Sequence, residues 1–216
     1  MVNEVIVSGN KLLDTQQAQE ATGAIGQNIL LLQTGQVERL VEGISVVRDA
    51  RATATLPGRI EVEVTERTPL VQWQTREGSF MVDREGVVFS SEAPQGPVIV
   101  VKDLDGPSIK VGSRINPDTL SAVEMLMGAL SRQAGVEPIR FEYSQKRGIS
   151  VPVQDGPTIV FGDASDIEAK LAAYSAIRSH LNTTKARAET IDLRFKGHPV
   201  LVLASPAPAK PGQPRR

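Results

Sequence analysis

A serine and two aspartates lie close together in FGDASD, residues 161–166, and these residue types could do either of two things. Carboxylate and hydroxyl oxygens at this spacing suggest a Ca²⁺ site, because Ca²⁺ prefers oxygen ligands. The start of a helix uses the same residue types: Asp163 or Ser165 can accept from a free amide, and Asp166 suits the positive end of the helix dipole. A cap explains the residues without a ligand, so we predict a helix start.

The chain offers few other residues for catalysis or metal binding. It has two histidines, His180 near a predicted helix end and His198 in a Gly-His-Pro turn, and both are expected on the surface. A metal site would need a third ligand, which Asp192, six residues before His198, does not clearly provide. Cysteine is absent, and so is a Gly-x-Ser-x-Gly elbow that could expose a nucleophile. We therefore predict no catalytic residue, no metal and no cofactor, with a cell-wall hydrolase as the enzymatic alternative.

The composition is that of a globular protein and argues against nucleic acid as a partner. The 216 residues include 24 basic and 25 acidic side chains, so there is no broad positive field to attract phosphates. The longest wholly apolar run, residues 200–204, is far shorter than the roughly 20 residues of a membrane-spanning helix. No signal-peptide pattern follows Met1. As given, the chain is expected to be soluble.

Two helices are predicted before Pro69, after a short strand in EVIVSG, residues 4–9. The first helix has Asp14 as its cap and Gly23 as its end. The second has Thr34 as its cap and Gly43 as its end. Its predicted buried stripe follows the helical period and consists of Val37, Leu40, Val41 and Ile44.

Two amphipathic strands follow the helices and end in VTERTP, residues 64–69. Apolar and polar residues alternate on both sides of a Leu-Pro-Gly turn at residues 56–58, which predicts a hairpin that is wet on one face. Proline cannot donate to a strand ladder, so Pro69 should end one sheet before the next begins. For Glu66 and Arg67 we predict a local ion pair or a backbone contact rather than a ligand role.

After Pro69 the pattern changes to short strands and two further helices. VQWQ, FMVD and VVFS predict an antiparallel meander, and VIVV, IRFEYS, GISVPV, TIVF, IDLRF and VLVLA predict later strands. Asn116-Pro117 opens a helix with a preferred cap and first residue. Its predicted buried face is Leu120, Val123, Met127 and Leu130. A last helix is predicted from about Asp163 to Leu181, with Ile167, Leu171, Tyr174, Ile177 and Leu181 on one face.

The order strand, helix, helix, strand, strand in residues 1–68 resembles a POTRA domain. VSGN, GQNILLL, VRDARATATLPGRIEVEVTERTP and FMVDREGVVF resemble, in order and spacing, the FtsQ/DivIB family of bacterial cell-division proteins. IVFGD and IDLRF fall where the second domain of that family carries similar phrases, so the similarity spans about residues 3–204. The fold class it implies is α+β, with a POTRA domain at 1–68, a mixed antiparallel-sheet β domain with two helices at 69–204, and a disordered proline-rich tail at 205–216.

The resemblance implies a non-enzymatic scaffold of the divisome at the division septum. Family members are single-pass proteins of the bacterial inner membrane with these domains outside the membrane. The chain begins its first strand almost at Met1, so we expect the transmembrane helix to precede it and this chain to be an extracytoplasmic fragment. The implied partners are FtsB-like (DivIC in other bacteria) and FtsL-like division proteins.

The last strands are the implied docking site for the FtsB-like partner. Carried over from the family motif, Phe195 is the aromatic partner contact, with Ile191 and Arg194 beside it. Val200 and Val202 are candidates through their place on the last strand, a natural sheet edge. Strand alternation allows another interpretation, in which Ile191, Leu193 and Phe195 form one buried face.

Two features leave alternatives open. Better-known family members carry a basic residue after the glycine of FGDASD, whereas this chain has Asp163, which puts partner contacts there in doubt. POTRA domains also precede outer-membrane barrels, so a periplasmic chaperone or a secretion or outer-membrane assembly module is the alternative function. That function predicts further POTRA repeats or a barrel.

Overall fold

The computed structural model describes residues 1–92, 96–106, 108–134, 138, 140–154, 156–163, 165–195 and 197–204. The predicted proline-rich tail lies outside this range. Contacts divide the chain into two compact units, Met1–Ile99 with Pro107–Leu120, and Val100–Gly106 with Ser121–Arg216. The three strands directly after Pro69, within residues 69–90, belong to the first of these units, and the domain bounds 1–68 and 69–204 stay a prediction.

The first unit begins with the predicted order of strand, helix, helix, strand, strand. Its elements are β1 (Glu4–Ser8), α1 (Thr15–Thr22), α2 (Thr34–Glu42), β2 (Val47–Thr55) and β3 (Arg59–Glu66). The sheet order is β1-β3-β2, with β3 parallel to β1 and antiparallel to β2. One side of β3 packs on the helices and forms a core with them, which includes Ala18, Val37, Val41, Ile60, Val62 and Val64.

The caps of the two helices differ in how well the sequence predicts them. The Asp14 carboxylate accepts from the Gln17 backbone N–H at 3.0 Å, and Gly23 ends α1 in the left-handed region, both as predicted. The predicted Thr34 cap is wrong: Gln33 occupies the cap position without a side-chain bond, and Thr34 is already helical. The stripe is also wrong at Leu40, which is exposed. Leu40 lies about 100° around the helix axis from buried Val41, outside the face that meets the sheet.

The meander after Pro69 is confirmed. It consists of β4 (Pro69–Gln74), β5 (Ser79–Asp83) and β6 (Val88–Ser90), all antiparallel. Trp73, Met81 and Phe89 are buried on it.

The later elements form a mixed sheet with two helices, which confirms the α+β class. They are β7 (Ile99–Asp103), α3 (Pro117–Ala129), a π-helical turn (Leu130–Ala134), β8 (Phe141–Ser144), β9 (Gly148–Pro152), β10 (Thr158–Gly162), α4 (Ile167–Thr184), β11 (Ala188–Asp192) and β12 (Val200–Leu203). The strand order is β12-β11-β10-β9-β8-β7. Each helix connects a parallel pair, α3 between β7 and β8 and α4 between β10 and β11, because parallel strands need a crossover.

Three boundaries or faces differ from the sequence expectation. The last helix begins at Ile167 rather than near Asp163. In α3, Met127 is half-buried and Leu126 takes its expected place in the core. The predicted strand IDLRF is shifted, because β11 starts at Ala188 and ends at Asp192. Within the described residues, no helix combines the length and apolar character needed to span a bilayer.

Candidate partner-binding surface

The last strand, β12, is an exposed edge of the sheet. It pairs with β11 antiparallel, and in the part of the chain that the structure describes no strand pairs with its other side. All four of its side chains are aliphatic and 37–59% exposed, including Val200 and Val202 at 47% each. An edge strand normally carries charge or proline that discourages pairing, and β12 has neither between its first and last residue. It therefore offers backbone hydrogen-bonding groups and apolar side chains together.

The residues at and just after the end of β11 differ in their exposure. Ile191 and Leu193 are buried, whereas Phe195 is 54% exposed. The alternative interpretation, one buried face for all three, is therefore wrong at Phe195, and Ile191, one of the predicted partner contacts, lies in the core. The strand ends at Asp192, and strand alternation does not extend into the segment that follows it.

An ion pair holds that segment in place. The Asp192 carboxylate accepts from Arg194 Nε at 3.0 Å and from Arg194 Nη2 at 2.6 Å, and also from the Arg194 backbone N–H at 3.1 Å. Burial alone would raise the pKa of Asp192, but the hydrogen bonds from Arg194 outweigh it and the pKa is lowered. The Arg194 guanidinium carbon lies 5.5 Å from the centre of the Phe195 ring, in cation–π range. The pair thus fixes the backbone next to the exposed aromatic ring.

Gly162, at the end of β10, makes room for this ion pair. It has a φ of 79°, and a Cβ built there would lie 2.8 Å from Arg194 Cγ. The aliphatic part of Arg194 therefore packs on bare backbone, and any larger residue at this position would displace it. Other basic residues lie near Arg194. Its Nη1 donates to the Lys146 carbonyl, and the charges of Arg147 and Arg194 both act on Asp192.

A groove of about 1070 Å³ lies between α4 and the strands β10 and β11, beside Ala204 at the end of β12. Its lining includes Val153, Tyr174, Arg178, Leu181, Arg187 and Glu189. Burial raises the pKa of the Tyr174 hydroxyl, so it stays neutral. Sequence reasoning missed this groove. Sequence periodicity predicts which face of a single helix or strand is buried. The groove depends instead on the distance between α4 and the neighbouring strands.

The FGDASD segment forms a local network instead of a simple cap. Asp163 Oδ1 accepts from Ser165 Oγ at 2.5 Å, from the Ser165 backbone N–H at 3.1 Å and from Lys170 Nζ at 3.0 Å. The Ser165 hydroxyl and Lys170 lower the pKa of Asp163 to about 2. The predicted cap is wrong, since Asp166 holds the cap position in the left-handed region and its side chain does not cap the helix. Asp163 is thus paired with Lys170 of α4.

Glu66 makes a backbone contact and Arg67 an ion pair, the two kinds of contact that the sequence predicts, but with partners distant in the chain. The Glu66 carboxylate accepts from the backbone N–H groups of Lys11, Leu12 and Leu13 at 2.7–3.0 Å. Arg67 Nη1 donates to Asp83 Oδ2 at 2.6 Å, and both side chains are largely buried. Glu66 and Arg67 therefore stabilise the first unit, Glu66 by anchoring the loop after β1 and Arg67 by its ion pair with Asp83.

Metal ligands do not gather in the described ranges: no group of three His, Asp or Glu side chains is positioned to hold an ion. His180 and His198 are both exposed, as the sequence predicts.

Two family models match the chain. The model described as "Cell division protein FtsQ/DivIB, C-terminal" matches residues 71–194, and "POTRA domain, FtsQ-type" matches residues 1–67. The chain belongs to the FtsQ/DivIB family. Within the FtsQ/DivIB model the match includes β11 and the Asp192–Arg194 ion pair, and it stops before Phe195 and β12.

Curated FtsQ proteins give the same result. The chain is 28% identical over 172 residues to the cell division protein FtsQ of Chloroflexus aurantiacus, a match that covers 79% of this chain and 63% of the relative. It is 26% identical over 177 residues to FtsQ of Mycobacterium leprae, covering 82% of this chain and 50% of the relative. A match to FtsQ of Mycobacteroides abscessus covers 55% of that protein. The chain thus spans between half and two-thirds of the length of these FtsQ proteins.

Proposed function

We propose that this chain is the extracytoplasmic part of a non-enzymatic divisome scaffold. In this proposal a single transmembrane helix outside the present sequence anchors it in the bacterial membrane at the division septum. Its POTRA domain, residues 1–68, and its β domain, residues 69–204, recruit and link other cell-division proteins. The partners are an FtsB/DivIC-like subunit, which docks on the last strands, and an FtsL-like subunit that accompanies it.

The observation that carries the proposal is the open edge of β12. Four consecutive exposed aliphatic residues on an edge strand would promote aggregation unless a partner covers them. A partner that adds a strand there gains backbone hydrogen bonds along β12 and covers every second side chain. Because the chain belongs to a family of cell-division proteins, we expect its partner to be a cell-division protein as well.

The surroundings of Phe195 add a chemical preference for the partner. The exposed ring lies beside the Arg194 guanidinium, and Lys146 and Arg147 are exposed nearby. Charges of one sign at a docking site favour the opposite sign on the partner. We therefore expect the docking segment to combine a β-strand with an apolar side chain that meets Phe195 and an acidic residue near Arg194.

The alternative as a chaperone or assembly module would require a free strand-accepting edge on the POTRA domain. At the β2 edge of this three-stranded sheet, whose order is β1-β3-β2, Glu38 accepts from the Ala52 N–H at 3.0 Å and Glu42 from the Ala50 N–H at 3.4 Å. Both glutamates come from α2, one turn apart. An incoming strand would have to displace them, which makes β12 the better docking edge of the two.

Calorimetric titration with the membrane-proximal extracytoplasmic segment of the organism's own FtsB-like protein tests the proposal. We expect saturable binding, at least tenfold weaker for Val202→Asp and for Phe195→Ala, because a central strand contact or an aromatic anchor is typically worth more than about 1.4 kcal/mol. Leu40→Asp is the matched control, since Leu40 has the same 47% exposure as Val202 but lies on α2.

Circular dichroism of each variant must show an unchanged fold. If the partner does not bind, even together with its FtsL-like companion, the scaffold role loses its main support. Equal weakening by Leu40→Asp would show that the effect is not specific to the last strands.

A further inference from the structure

Five large aliphatic side chains in the POTRA domain are more exposed than those of β12. They are 60–78% exposed and comprise Met1, Ile25, Leu30, Leu31 and Leu56. Single exposed aliphatic residues are ordinary on a protein surface, whereas a group of them marks an interaction site. We call these five residues the aliphatic end.

Backbone contacts bring the segments that carry these residues to the same end of the domain. The Val2 N–H donates to the Gln27 carbonyl at 2.8 Å, and the Gly26 N–H donates to the Val2 carbonyl at 2.9 Å. On the other side, the Asn3 N–H donates to the Gly58 carbonyl at 2.9 Å. The chain start, the loop between α1 and α2, and the β2–β3 turn are thus joined. The other end of β3, near Thr65, lies about 20 Å away at the usual rise per residue.

The loop is also free of charge. Residues 21–37 contain no Asp, Glu, Lys, Arg or His, in a chain in which 23% of residues are charged. Charged groups resist removal from water far more than amides do. The nearest charged side chains on the joined segments, Glu4 and Arg59, are paired with each other at 2.8 Å. The charge-free loop with its exposed leucines therefore favours an apolar surface over a charged protein partner.

The loop backbone makes its own hydrogen bonds. The N–H groups of Gly26 and Gln27 donate to the carbonyls of Val2 and Ala24. The Asn28 side chain and carbonyl accept from Leu30 and Leu31 at 3.0 Å each. An unpaired backbone group is costly away from water, so an irregular loop keeps its backbone at the membrane interface while its apolar side chains go deeper. The N–H groups of Leu30 and Leu31 are bonded within the loop, which lowers the cost of bringing them to that interface.

We propose that the aliphatic end is a lipid-contacting surface, with Leu30 and Leu31 entering the acyl boundary of the bilayer. The contact orients the POTRA domain on the membrane independently of β12. It goes beyond the scaffold role and uses residues on which partner docking does not depend.

Flotation of the chain with phosphatidylethanolamine vesicles, with and without phosphatidylglycerol, tests the proposal. We expect the double variant Leu30→Ser, Leu31→Ser to partition about 100-fold more weakly, since burial of each leucine gives about tenfold. Because the loop carries no charge, binding should change little with salt or with phosphatidylglycerol. The matched control is Val200→Ser, Val202→Ser, which should keep vesicle binding.

The absence of cysteine allows the depth to be measured directly. An environment-sensitive fluorophore on Leu31→Cys should shift to the blue with vesicles and be quenched by lipids brominated in their acyl chains. The same label on Thr65→Cys, an exposed residue at the far end of β3, should not respond.

Several outcomes would overturn the proposal. These are no flotation of the wild type, equal flotation of the leucine variant, or flotation that depends only on phosphatidylglycerol. A label shift that grows with protein concentration in the absence of lipid would assign the leucines to a second copy of the chain. The leucine variant should bind the FtsB-like segment normally, so failure of this proposal and failure of partner docking are separable.

Discussion

The carboxylate of Glu66 is expected to hold the loop that follows β1 onto the end of β3. Three successive N–H groups, those of Lys11, Leu12 and Leu13, donate to it across more than 50 residues of chain. The substitution Glu66→Gln keeps the size and one acceptor oxygen, and it removes the charge. The amide NH2 group that replaces the second oxygen is itself a donor and faces the backbone N–H donors of the loop.

The size of the effect follows from the exposure of those donors. A hydrogen bond to a charged acceptor contributes about 1.5–3 kcal/mol. The N–H groups of Lys11 and Leu12 are exposed, so water replaces much of what they lose, whereas that of Leu13 is partly buried. We expect Glu66→Gln to lower the free energy of unfolding by about 2 kcal/mol at pH 7.

The pH dependence gives a second test of the same contact. Burial alone would raise the pKa of Glu66, but the three backbone hydrogen bonds outweigh it and lower the pKa below its ordinary value of 4.5. A group whose pKa is lower in the folded state stabilises the fold fully above its unfolded pKa. This contribution is lost as the pH falls through the folded pKa. The difference between wild type and Glu66→Gln should therefore be constant near pH 7 and shrink below pH 4.5.

Urea unfolding followed by tryptophan fluorescence is the suitable assay. Trp73 is the only tryptophan, it is buried, and it lies in the same compact unit as Glu66. The control is Glu63→Gln, an exposed carboxylate on the same strand, which should stay within about 0.5 kcal/mol of the wild type. An equally small effect of Glu66→Gln at pH 7 would refute the reasoning. So would a difference between wild type and Glu66→Gln that is the same at pH 3 and pH 7.

Two further predictions concern the second unit. Lys170→Met should raise the pKa of Asp163 from about 2 toward its ordinary value of 3.8, measured by NMR titration of the carboxyl carbon; an unchanged midpoint would contradict the ion pair. Ile191→Ala should cost about 2–5 kcal/mol in unfolding followed by circular dichroism, because the side chain is fully buried. Phe195→Ala, truncating a half-exposed ring, should cost much less, and equal costs would show that Phe195 belongs to the core.

The local patterns were sufficient for most elements. Alternation predicted β2, β3 and the meander, and the turn at residues 56–58 followed from its proline and glycine. The Asp14 cap was predictable because donor and acceptor lie three residues apart. Helix α4 was placed four residues too early, since Asp163 has the chemistry of a cap but bonds to Ser165 and Lys170 instead.

Residue order and short-range periodicity were enough to assign the family and the helix or strand character of most elements. The partners of the polar residues depend on how the chain folds: the donors to Glu66 come from a loop 53–55 residues away, and Arg67 meets Asp83 across the β4–β5 hairpin. The fold also sets which apolar residues stay in water. Periodicity cannot distinguish exposed Phe195 from buried Leu193, or the open edge of β12 from a paired one, because exposure depends on where each strand ends and on what packs beside it.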